Sequence, residues 1–143
     1  MSQPAFSSQE AFESTEQGKR SRIYKQTLMQ IQMELEPGSQ LRELNAKTIS
    51  NFLEDLTNIS REVKLLKSES GAIQNFELAD MADSMYLNIR KAIIELSLAL
   101  DLLDWIDKIV TSNQDSALKA RRDYYTCLSN CQECIREAVQ KLR

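Results

Sequence analysis

The stretch Ala82 to Val110 reads ADSMYLNIRKAIIELSLALDLLDWIDKIV, and its rhythm decides the fold. Ala82, Met85, Ile89, Ala92, Leu96, Ala99, Leu103, Ile106 and Val110 recur every three or four positions, the spacing that lines one face of an α-helix. A second apolar set, Leu87, Ile94, Leu98, Leu102, Trp105 and Ile109, flanks the first, and only a narrow strip with Arg90, Ser97, Asp101, Asp104 and Lys108 is polar throughout. A helix apolar over most of its circumference is expected to be enclosed by others. The spacing therefore predicts a long central helix from about Ala72 to Thr111, roughly 58 Å at a rise of about 1.5 Å per residue.

On the N-terminal side of this element, Tyr24, Leu28, Ile31 and Leu35 predict a first helix over Arg22 to Glu36, stopped by Pro37 and Gly38. Ser39 is the expected N-cap of a second helix running to about Lys67. From Ile49 that helix repeats through Phe52, Leu56, Ile59, Val63 and Leu66, whereas Leu41 and Leu44 fall one position out of register. Ser68-Glu69-Ser70-Gly71 is the expected break before the long helix. Beyond it, Ser112-Asn113-Gln114-Asp115 offers caps for a fourth helix, whose inward face is Tyr124, Leu128, Cys131, Ile135, Ala138 and Leu142. Residues 1–20, polar and rich in Ser, Gln and Glu, are expected to form a flexible tail, and residues 21–143 the bundle domain.

Composition agrees with an all-α fold. Three glycines and two prolines in 143 residues are too few for the turns of a β-rich chain. The expected class is an antiparallel bundle of about four helices of unequal length with a long central third helix. Its heptad-like rhythm, broken at clear junctions, reads as an intramolecular seam more than a long coiled coil between chains.

Several function classes fall away at once. The chain has no histidine, which removes the Glu-x-x-His ligands of ferritin-like di-iron bundles and every histidine-based nucleophilic site. Cys127, Cys131 and Cys134 match the C-x3-C-x2-C spacing of radical S-adenosylmethionine enzymes, but those hold their cluster from a loop after a barrel strand. On one helix the three thiols form a row about 10 Å long and cannot converge on an ion. They are expected to pack as small hydrophobes on the inner face of the fourth helix. Glu77, Asp80 and Asp83 decorate the opening turns of the third helix, where acids favour the helix dipole. No catalytic residue, metal site or cofactor is expected, and the chain is read as non-enzymatic.

A net charge of −3 argues against a dedicated nucleic-acid binder. The run Ile93 to Val110 carries Glu95, Asp101, Asp104, Asp107 and Lys108, too many charges for a membrane span. Met1 to Lys19 holds no apolar run, so no secretory signal is expected. With three cysteines, an odd number, the expected setting is a reducing one, the cytoplasm.

Two surface readings remain. Helices of these lengths leave the C-terminal end of the third one thinly covered, which marks Leu102, Trp105, Ile106 and Ile109, with Tyr124 and Tyr125 opposite, as a candidate patch for another protein or a second copy of the chain, a homodimer. The expected role is a helical interaction module, a small regulatory or adaptor protein. The alternative is a nucleic-acid- or membrane-associated regulator using the basic run Lys19, Arg20, Arg22 and Lys25 to bind anions.

Overall fold

The computed structural model describes residues 16–35, 45–109 and 114–142. Four helices account for nearly all of them: α1 (Glu16–Glu34), α2 (Ala46–Ala72), α3 (Phe76–Ile109) and α4 (Gln114–Lys141). They pack as an all-α bundle, α3 making the two most extensive interfaces, with α2 and with α4. Helix α1 packs on α2 and α4 and so lies diagonally across from α3. Neighbours run antiparallel: Arg20 meets Glu69 and Tyr24 meets Glu62 between α1 and α2, while Asn130 reaches back to Glu95 between α4 and α3.

The core follows the three-four rhythm closely. Leu28, Ile49, Leu56, Val63, Ala82, Met85, Ile89, Ala92, Leu96, Ala99, Cys131, Ile135 and Ala138 are all fully buried. Each large apolar side chain taken out of water contributes about 1.5–3 kcal/mol. Four such stripes sharing one core offset the entropy of ordering the helices.

The element boundaries depart from expectation at three places. Helix α1 starts at Glu16, inside the stretch 1–20 expected as a tail; residues 1–15 lie outside the described residues, as do Pro37, Gly38 and the expected cap Ser39. The N-cap of α2 is Asn45, in an extended conformation, whose Oδ1 accepts a 2.9 Å hydrogen bond from the Thr48 amide. Leu41 and Leu44 precede that cap and are likewise outside the described residues.

The third departure is at the α2–α3 junction. Helix α2 continues through Ser68 to Gly71, because a single glycine costs a helix only about 1 kcal/mol and Val63, Leu66 and Ser70 still face the core. What ends it is a Schellman closure: the Asn75 amide donates to the Ser70 carbonyl at 2.8 Å and the Gln74 amide to the Gly71 carbonyl at 3.0 Å. Gln74 takes the left-handed conformation this requires, φ 62°. Asn75 then caps α3 by accepting from the Leu78 amide at 3.2 Å. Glycine is the residue that occupies a left-handed position without a Cβ penalty. Gln74→Gly is accordingly expected to stabilise the protein by about 0.5–1 kcal/mol in a urea titration; an unchanged or lower midpoint contradicts this account of the turn.

Candidate functional site

One face of α3 is buried and the other is not. Leu87, Ile94, Leu98 and Trp105 are 53, 55, 48 and 52% exposed, although an enclosed central helix required them to be covered. The correction has a simple geometric origin. In a ring of four, each helix has two neighbours and an outer side, so one apolar stripe suffices for the core and the second is left facing out. Helix α3 is central as the packing hub of the bundle, not as a helix enclosed on all sides.

The expected patch at the C-terminal end of α3 is divided by the structure. Trp105 is on the outer face, but Ile106 and Tyr124 are core residues, 7 and 5% exposed, and Leu102 is half-buried. Tyr125 is exposed and sets its ring edge-on to Tyr124, centroids 5.3 Å apart. It lies on the flank of α4 that also carries Gln132, whose amide reaches the Gln32 carbonyl of α1 at 3.2 Å. That flank points away from α3, so Tyr125 and Trp105 do not form one surface. The side chain of Ile109 lies outside the described residues.

Trp105 belongs instead to a row along α3 that runs toward its N-terminal half. Leu87, Ile94 and Leu98, read from the sequence as a buried flank, are the members that sequence reasoning placed on the wrong side. Their separation by polar residues was the available signal. Arg90, Lys91, Asp101 and Asp104 are all exposed and sit on or beside the same strip.

The basic run is likewise split. Arg20 turns onto α2, pairing with Glu69 at 3.1 Å and Glu62 at 3.5 Å. The Tyr24 hydroxyl donates to the same Glu62 carboxylate at 3.0 Å, and burial, then this bond, push its pKa well above the ordinary phenol range. Arg20 is thus engaged with α2 through both carboxylates. Lys19 and Arg22 are exposed and Lys25 is half-buried.

The thiols line the inner side of α4. Burial pushes Cys127 up to about 11, helped by the charge of Glu95 and a hydrogen bond to it. Cys131 and Cys134 are raised too, in both cases chiefly by burial. A thiol that holds its proton to higher pH when folded contributes stability that is complete below the ordinary thiol range, near pH 8.5. That contribution is lost as pH rises toward the folded value. Denaturation midpoints are therefore expected to fall steadily from pH 8 to about 10.5, and less steeply in Cys127→Ala. A flat profile in the wild type contradicts the burial of Cys127 and Cys131, as does rapid labelling of either thiol in the native protein at pH 7; Cys134 is only partly buried.

Among the described residues, no cluster of cysteine, aspartate and glutamate is arranged to hold a metal ion. A cleft of about 330 Å³ between α1 and α2 is lined by Gln26, Thr27, Gln30, Ile31, Glu34, Phe52 and Asp55. Burial, then repulsion from Glu54 and Glu34, raises the Asp55 pKa. No described helix is long and apolar enough to cross a membrane. No family model matches the chain, and comparison with curated proteins and with solved structures gave no match.

Proposed function

We propose that this chain is a non-enzymatic interaction module, and that the outer face of α3 is the surface through which it binds protein. The observation that carries the reading is the row of Leu87, Ile94, Leu98 and Trp105, each about half exposed on one continuous helix. Apolar side chains aligned on one exposed face, with an aromatic among them, are the composition of interface anchors and not of an ordinary solvated face. A regulatory or adaptor role, as expected from the sequence, is the use we propose for a bundle that presents such a face. The reading as an anion-binding regulator loses Arg20 to its ion pairs with α2.

Affinity purification with the wild-type chain and with the Ile94→Glu/Leu98→Glu double variant tests this. The variant should retain the helical signal and thermal midpoint of the wild type, because both positions face outward, yet lose proteins that the wild type captures. Identical captured sets from the two chains overturn the assignment of this face.

A further inference from the structure

We propose that the occupant of the outer row of α3 is the same row on a second copy of this chain, laid antiparallel about a two-fold axis at the level of Leu96. This rests on the interaction reading above and goes further by naming the partner and its register. The strip, taken in full, is Leu87, Lys91, Ile94, Leu98, Asp101 and Trp105, all exposed and spaced alternately by four and three residues. Such spacing is that of the a and d positions of a helix–helix seam. The helix is continuous across it, so the strip is unbroken and roughly 27 Å long.

The spacing alone would fit many helices; the charges narrow it. Two groups interrupt the apolar row, one positive and one negative, and they stand equally far from position 96 on opposite sides. In an antiparallel pair centred there, Lys91 of each copy meets Asp101 of the other, Ile94 meets Leu98, and Leu87 meets Trp105. Arg90 falls on the same flank as Asp101 and Asp104 of the second copy. Every layer is then apolar on apolar or cation on anion.

No other register achieves this. A parallel pair sets Lys91 against Lys91 and Asp101 against Asp101. Sliding the antiparallel pair by one heptad sets Lys91 against Ile94 in one direction, and against Lys108 in the other. Like charges in contact are costly and discriminate between partners and registers. Neither Lys91 nor Asp101 takes part in an ion pair among the described residues, so both are available to a second chain. An anionic membrane is a poorer occupant, because Asp101 and Asp104 would face its headgroups.

Sedimentation equilibrium of the full chain from about 5 to about 200 µM reads the association directly. The wild type is expected to dimerise. Lys91→Asp and Asp101→Lys should each weaken that dimer at least about tenfold, since each places like charges opposite one another in both charged layers. Mixing the two single variants should produce a heterodimer, and the Lys91→Asp/Asp101→Lys double variant should dimerise again with the ion pairs reversed. Circular dichroism and thermal melts of all four chains, taken at a concentration below self-association, should agree, as both positions are exposed.

A wild type monomeric throughout overturns the proposal, as do single variants that dimerise like the wild type or a double variant no better than the singles. A monomeric wild type that still loses captured proteins on Ile94→Glu/Leu98→Glu overturns the second copy as occupant and leaves the interaction reading standing. A charge-dependent dimer whose captured set is unaffected by that double variant separates the two the other way.

Discussion

Leu96→Ala is expected to destabilise the bundle by about 3 kcal/mol, and Leu98→Ala, two positions along the same helix, by about 0.5 kcal/mol or less. The two residues share chemistry, helix and neighbourhood; what differs is the side of α3 on which each stands. Leu96 is fully buried between α2 and α4, whereas Leu98 is 48% exposed. Truncating Leu96 forfeits its transfer free energy and leaves a cavity that fully buried neighbours such as Ala92 and Ala99 are too small to fill. Truncating Leu98 leaves only water behind, and alanine is the better helix former. Urea denaturation of both variants at low concentration, below any self-association, measures the contrast. Equal losses would show that α3 is enclosed on both faces, which would remove the exposed row and the interaction reading built on it.

That contrast also marks where the sequence stops being legible. Periodicity identifies the four helices and nearly every core residue, because a stripe at three-four spacing has no cheaper place than an interior. It does not reveal how many stripes of one helix the fold can use. Ile94 and Leu98 look as apolar as Leu96, and only the placement of α1 across from α3, beside α2 and α4, shows that no helix remains to cover them. The same gap explains the divided patch. Trp105 is open because it stands on the outer face and not because the end of α3 is bare, since Ile106 beside it is buried; Tyr124 follows the inward stripe of α4 that its spacing indicates, and Tyr125, one position on, falls on the exposed flank.

Boundaries were misread for a different reason: Gly71 has the composition of a break, yet its cost is small beside the buried face it continues. Arg20 has the look of a free cation until Glu62 and Glu69, far along the chain, are folded against it.

A second large effect is expected at Leu28, and its distribution matters more than its size. Helix α1 inserts Tyr24, Leu28 and Ile31 into the core, with Leu35 just past its end, and Leu28 is the most deeply buried of them. Leu28→Ala should cost about 3 kcal/mol by the same cavity argument. Unlike α3, α1 is held by the two lesser interfaces of the bundle. Its lateral ties include Tyr24 to Glu62 at 3.0 Å, Arg20 to Glu69 at 3.1 Å and to Glu62 at 3.5 Å, and Gln132 to the Gln32 carbonyl at 3.2 Å. These are partly solvated contacts, each worth about 1 kcal/mol or less.

The interfaces of α3 with α2 and α4 do not pass through Leu28, so the loss should fall on α1 first. Opening of one helix ahead of the rest is the behaviour of a separate cooperative unit. Native-state hydrogen exchange of Leu28→Ala is the measurement. Amides of α1 should exchange by a low-energy opening, while those around Ile89, Leu96 and Ile135 keep protection close to the wild type. Uniform loss across all four helices would mean that α1 is integral to one cooperative core, and that α2, α3 and α4 cannot hold the outer face of α3 in place without it.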